Sequence, residues 1–176
     1  MTNEIMVDLE TMDTKPTAAI VAIGAVAFND DEGVFDEFYI NVDLQSCIST
    51  GRTVDGNTIM WWLKQSADAR DALQNGQRFL LDYALYSFGS WLAVCDATLV
   101  WGNGAAFDNV ILADAYHGVD RRLPWKFYND RCYRTVKNMF PEVKLERVGE
   151  HHNALDDAKS QALHLLRIRK DMLCDA

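Results

Sequence analysis

The chain has 176 residues, 49% hydrophobic and 11% aromatic, which is enough apolar material for one buried core and excludes a disordered tail or a disulfide miniprotein. Its formal charge of −9, from 17 basic and 26 acidic side chains, would repel a polyanion unless a local surface reverses it. Three prolines, ten glycines and the absence of any biased run leave no internal linker, so residues 1–176 read as a single domain.

In chain order, residues 4–9 (Glu-Ile-Met-Val-Asp-Leu) and 18–28 are rich in β-branched residues and too short or too Gly-interrupted for long helices, and both are predicted strands. Residues 34–40 alternate in the same way, and Asn-Asp-Asp-Glu-Gly at 29–33 has hairpin-turn chemistry, so strands two and three form a hairpin. From Asp55 the period turns helical: Ile59, Trp62 and Leu63 share a face, Ser66 is placed to cap a second helix, and residues 80–94 continue at three- and four-residue spacing. Residues 98–101 form a short strand ending in Gly102-Asn103-Gly104, and a helix is predicted over 107–116. Residues 130–140 read as a helix stopped by Pro141, and 154–173 as an amphipathic helix on Leu155, Ala158, Ala162, Leu165, Leu166 and Ile168. Three leading strands, then helices and a further strand, imply an α/β layer structure with a mixed sheet.

No stretch approaches the roughly 20 apolar residues of a membrane helix, and the chain opens on the acidic Glu4 and Asp8 where a leader would be basic. A cytoplasmic protein with no membrane partner is expected. Cys47, Cys95, Cys132 and Cys174 lie tens of residues apart with no zinc spacing, which favours reduced core thiols. Charge is uneven: residues 1–119 carry 5 Lys/Arg against 17 Asp/Glu, residues 120–176 carry 12 against 9. The basic stretch from Arg121 to Arg147 is either ordinary solvated surface or a face for a polyanion.

Three acidic groups carry the chemistry. Asp8 and Glu10 stand two apart at the end of the first strand, which puts both carboxylates on one face among apolar neighbours. Burying like charges together is expensive unless a cation or proton compensates, so the pair is a metal-site candidate. Asp108 falls in the first turn of a helix after a Gly-containing turn, a position the macrodipole also favours. In His151-His152-Asn153-Ala154-Leu155-Asp156-Asp157-Ala158, the adjacent Asp156 and Asp157 cannot face the same way on a helix. One is expected to cap and the other to point inward.

Asp8-Leu-Glu10-Thr, then Asn103 with Phe107-Asp108, then His152-Asn-Ala-Leu-Asp-Asp157-Ala together resemble the DEDDh group of 3′-to-5′ exonucleases, over residues 8–158. Residues 58–66 and the short length resemble the small bacterial and phage members related to phage exonuclease A and to the mycobacterial exoribonuclease-like domain. The resemblance implies an RNase H-like fold, a central mixed sheet with its first three strands antiparallel and helices on its flanks. It further implies a hydrolase that removes nucleoside monophosphates from the 3′ end of single-stranded RNA or DNA.

Under this resemblance Asp8, Glu10, Asp108 and Asp157 hold two Mg²⁺ or Mn²⁺ ions, for which their hard oxygens suit. Asp8 bridges the two ions, Asp156 caps the helix, and His152, five residues before Asp157, is the general base in preference to His151. Leu9, Thr11 and Met12 after the first acid, with Trp61 and Phe107, are the expected contacts to the terminal nucleotide, Trp61 as a stacking platform. The partner is a single strand with a free 3′ end, and a homodimer stands open beside a monomer. Two other classes share these features: an RNase H-type endonuclease, against which the His152 to Asp157 spacing speaks, and a non-catalytic nucleic-acid-binding module, against which the full set of acids speaks.

Overall fold

The computed structural model describes residues 2–174. Strands β1 (Asn3–Thr11), β2 (Ile20–Asn29) and β3 (Gly33–Val42) form an antiparallel meander. The β2–β3 turn closes as its residue types demand: Asn29 Oδ1 accepts from the N–H groups of Asp31 and Glu32, and Gly33 takes φ +76°. Strand β5 (Ala97–Gly102) lies parallel to the other side of β1, and two short strands complete the sheet, β4 (Arg78–Phe79) beside β3 and β6 (Asp130–Cys132) beside β5. The order is β4-β3-β2-β1-β5-β6, a mixed sheet with β1 at its centre.

Helices cover both faces. On one, Leu81, Leu85 and Phe88 of α4 (Leu81–Val94) and Ile111 and Leu112 of α5 (Asp108–Gly118) pack with Ile5, Val7 and Leu9 of β1. On the other, Ala158, Ala162 and Leu165 of α7 (Ala154–Cys174) and Tyr133 of α6 (Tyr133–Met139) pack with Met6, Val26, Phe28 and Trp101. The period of two along β1 thus sends its odd positions to α4 and α5 and its even positions to α7. Glu4 receives two hydrogen bonds from Arg169 and one from Trp101 Nε1, Met6 joins the apolar layer, and Asp8 receives one from Gln161. The remaining helices, α1 (Leu44–Ser49), α2 (Gly56–Trp62) and α3 (Ala67–Gln74), are capped by Asp43, Asp55 and Ser66.

The predicted helix over 130–140 is corrected at its start. Residues 130–132 extend the sheet, because β5 presents an unpaired edge to them, and the helix begins at Tyr133. The second strand begins at Ile20 instead of residue 18, since Ala18 and Ala19 are drawn off to pair with the segment at Thr53. Cys47 and Cys95 are buried free thiols and Cys132 is half-buried and free, whereas the side chain of Cys174 lies outside the described residues. Among the described residues, no helix is long and apolar enough to cross a membrane.

Gly24, opposite Asp8 in the β1–β2 register, lets α7 reach the sheet: a Cβ there would stand 2.1 Å from the backbone carbon of Ala154 and 2.2 Å from Leu155 N. Backbone cannot yield as a flexible side chain can. Gly24→Ala is therefore expected to lower stability by about 1–3 kcal/mol or more and to shift the N-terminus of α7. A thermal melt of the variant checks this, and an unchanged melting temperature would contradict the close approach.

Candidate active site

The C-terminal ends of β1 and β5 and the N-terminal ends of α5 and α7 meet at a cleft of about 810 Å³, within the size range of ligand sites. Asp8 stands partly open to it, while Glu10 and Asp157 are buried at its floor. Each of these three places one carboxylate oxygen within 4.8 Å of the other two. Asp108, also buried, is held just behind: Leu9 N–H donates to its Oδ1 at 3.2 Å, and a Cβ at Gly102 would stand 3.0 Å from its Oδ2. A glycine at the end of β5 thus makes room for the acid that opens α5. Asp157 Oδ2 accepts from His152 N–H at 2.9 Å, and its Oδ1 lies 2.5 Å from Arg147 Nη1.

Crowding and burial distort the titration of the acids. Burial pushes Asp8 well above the ordinary carboxylate range, with the charges of Asp108, Glu10 and Asp157 adding to it and the Gln161 hydrogen bond opposing. Burial, then Asp157 and Asp108, pushes Glu10 up to about 8. Burial lifts Asp108 to about 7 against the N–H groups that donate to it. Glu10 Oε1 has no hydrogen-bond partner although it is buried. A cluster of hard oxygens that includes a buried one without a partner fits a divalent cation of the Mg²⁺ or Mn²⁺ kind. Asp8, Glu10 and Asp157, with Asp108 behind them, are the residues able to hold it.

A carboxyl raised in the folded state stabilises the fold below its unfolded pKa and loses that contribution as pH rises through the folded value. For Glu10 and Asp108 the window runs from their ordinary values, 4.5 and 3.8, to about 8 and 7. The melting temperature of metal-free protein is accordingly expected to fall between about pH 5 and 8, and divalent metal to remove most of that fall. Calorimetry across this range with and without Mg²⁺ tests it; a flat metal-free profile would contradict the clustering.

The residues singled out for the nucleotide divide. Leu9 and Thr11 line the cleft from β1, both buried, with Thr11 Oγ1 donating to Asp13 O. Phe107 lines it from the turn before α5. Trp61 is 43% exposed in its wall, whereas Trp62 is buried and spends its Nε1 on Thr11 O at 3.0 Å, so the two neighbours part into an open ring and a structural one. Met12 is not brought to the cleft: it packs on the core and lines a separate apolar pocket with Val21, Val42 and Leu63, because Met12 N–H and C=O are tied to Ala19 and Asp55.

The His152 ring meets the edge of Trp61 with centroids 4.9 Å apart and stacks on His151 at 3.7 Å. Both histidines bring a ring nitrogen within 4.8 Å of Asp157. Burial and the neighbouring His151 hold His152 below the usual imidazole range. Its backbone has φ +67°, an unusual conformation for a non-glycine residue and one that turns its N–H onto Asp157.

Asp156 is not the helix cap. Asn153 caps α7, its Oδ1 accepting from Leu155 and Asp156 N–H, while the Asp156 carboxylate accepts from Glu150 N–H at 2.7 Å and steadies the loop before the helix. The basic stretch also divides. Arg121 pairs with Asp82 away from the cleft, and neither it nor Arg122 nor Lys126 lines the cleft, whereas Lys137 and Arg147 do. Gln161, whose Nε2 donates to Asp8 Oδ1 at 2.8 Å, was legible as the position one turn beyond Asp157 on the same helix face. The pairing of Arg147 with Asp157 had no such signal, since it depends on the path of a loop.

A mixed sheet with an antiparallel leading meander and a cluster of acids at the ends of its central strands defines an RNase H-like nuclease fold. The chain belongs to the family described as the 3′-5′ exoribonuclease Rv2179c-like domain, whose model matches residues 3–168, and it is a 3′-5′ exonuclease. It is similar to the exodeoxyribonuclease of Enterobacteria phage T4, at 27% identity over 89% of this chain and 85% of the relative. Among solved structures it is similar to the cell-death related nuclease CRN-4, with TM-score 0.63 and 12% identity over 97% of this chain and 64% of that one. E. coli exonuclease I in complex with a dT13 oligonucleotide superposes with TM-score 0.68 and 11% identity, over 99% of this chain and 43% of that one. The chain thus spans less than two thirds of these solved nucleases, and at such identities they bear on the fold alone.

Proposed function

We propose that the protein is a metal-dependent exonuclease of the DEDDh kind, one catalytic domain that removes nucleoside monophosphates from a free 3′ end of single-stranded nucleic acid. The observation that carries this reading is the buried carboxylate cluster with its orphaned Glu10 oxygen at the floor of an open cleft. Asp8, Glu10, Asp108 and Asp157 would hold the divalent ions. Two such ions would supply stabilisation of the attacking and leaving oxygens in an in-line phosphoryl displacement. His152, kept neutral near pH 7 by its surroundings, takes the proton of the attacking water as general base.

Leu9, Thr11 and Phe107 bound the place of the terminal nucleotide, and the exposed face of Trp61 stacks its base, which is worth about 1–3 kcal/mol. The oligonucleotide held by exonuclease I in its complex supports a single strand as the ligand here. The family's description as exoribonuclease and the phage relative's as exodeoxyribonuclease support a site that accepts both sugars.

A 5′-labelled single-stranded oligonucleotide, as RNA and as DNA, tests the reading. Stepwise shortening from the 3′ side is expected, with RNA cut at least as fast as DNA and blunt duplexes slowly, since each fraying step costs about 1.4 kcal/mol. Internal cuts, cleavage of a circular strand or indifference to a 3′-phosphate would overturn it.

A further inference from the structure

Arg147 is the cleft residue whose position the chemistry above leaves unused. Its guanidinium contacts buried Asp157 through Nη1, yet its side chain is 45% exposed where that of Asp157 is 12%. The backbone that carries it is fastened to the first turns of α7. Val148 N–H donates to Ser160 Oγ at 3.0 Å, and Glu150 N–H donates to the Asp156 carboxylate at 2.7 Å. A Cβ at Gly149, where φ is +69°, would collide with that same carboxylate at 2.2 Å. With the loop so held, the long Arg147 side chain is the part free to move, and its pivot stays at the rim of the cleft.

Charge balance says where it moves. Four acids carry as many as four negative charges, of which the Arg147 guanidinium offsets one by direct contact. Two divalent ions would bring four positive charges and leave that guanidinium in surplus beside Asp157, while each phosphodiester entering the cleft brings one negative charge. A guanidinium presents five donors in a planar fork that matches a phosphate, and among the described hydrogen bonds of Arg147 only Nη1 is engaged.

We propose that Arg147 is an exchangeable cation: it occupies Asp157 in the metal-free protein and, once metal takes that carboxylate, turns outward to bind a phosphate at the 3′ end of the strand. This rests on the two-metal exonuclease reading and adds to it a coupling between the two ligands. Because Arg147 competes with metal for Asp157 and serves the strand when displaced, metal tightens strand binding and the strand tightens metal binding by the same factor.

The test uses the full chain and the variants R147Q and R147K. Mn²⁺ binding without nucleic acid is followed by electron paramagnetic resonance, and a short single-stranded oligonucleotide is cleaved in Mg²⁺ over a range of salt. In R147Q, Mn²⁺ is expected to bind about 5-fold tighter or more, the lower end of ordinary coupling. KM is expected to rise about 10-fold with kcat changed much less, and the salt slope to fall by about one phosphate contact. R147K, which keeps the charge and loses the fork, is expected to fall between the two in KM and near the wild type in Mn²⁺ affinity.

Weaker or unchanged Mn²⁺ binding in R147Q would overturn the exchange and leave Arg147 as a fastening of the loop. An unchanged KM and salt slope would overturn the phosphate contact. A wild-type protein that takes up no Mn²⁺ would overturn the two-metal reading itself, and the inference with it, a result distinct from either of these.

Discussion

Asp8→Asn is expected to reduce 3′-terminal nucleotide release by about 10³-fold or more, and a chelator to abolish it. Metal stabilisation of the displaced oxygens is worth several kcal/mol, and each ~1.36 kcal/mol is a factor of ten in rate. Asparagine keeps the shape of Asp8 and can still accept the Gln161 hydrogen bond, so the loss falls on charge alone. The metal-free variant is expected to melt no lower than the wild type, because the change removes one ionisable member of a crowded, buried acid cluster. Rates with and without excess chelator, beside melting curves for both proteins, make the measurement. Substantial turnover of either the variant or the chelated enzyme would end the metal reading.

The second large effect separates two adjacent histidines. His152→Ala is expected to lower kcat by about 10²- to 10⁴-fold, the ordinary worth of a general base, with Mn²⁺ binding retained. His151→Ala is expected to leave the plateau rate near that of the wild type. The two are nonetheless linked, since His151 stacks on His152 and helps hold it below the usual imidazole range. A lowered pKa keeps the base neutral to lower pH, so the acid limb of the wild-type pH–rate profile is expected below about pH 6.5. Removing His151 is expected to move that limb upward. Exchange of the two phenotypes would make His151 the base.

What could be read without coordinates follows the strength of the local periods. The period of two in β1 announced that Asp8 and Glu10 share a face, and the amphipathic pattern of α7 announced that only one of Asp156 and Asp157 points inward, the choice of Asp157 coming from the resemblance and not from the pattern. The two-residue β4 and three-residue β6 are too short to carry a period, and sheet pairing, a long-range effect, decides them. Arg147 and Met12 were illegible for a related reason. Their surroundings are set by where a loop or a strand end is tied, which neither spacing nor composition encodes. For Trp61 and Trp62 the helical period set Trp62 apart, but the bond from its indole N–H to Thr11 O, which holds the ring in, has no signal in the spacing.

The placement of the acids along the chain has a consequence for biosynthesis. Asp8 and Glu10 lie on the first strand, yet β5, which borders it, begins at Ala97, and α7, which brings Asp157, begins at Ala154. Synthesis runs from the N-terminus at about 5–20 residues per second, so a growing chain carries the first two acids for several seconds with nothing across from them. Only after α7 has been made and has docked on Gly24 does the carboxylate cluster exist. A nascent or truncated chain lacking that helix therefore carries an incomplete acid cluster.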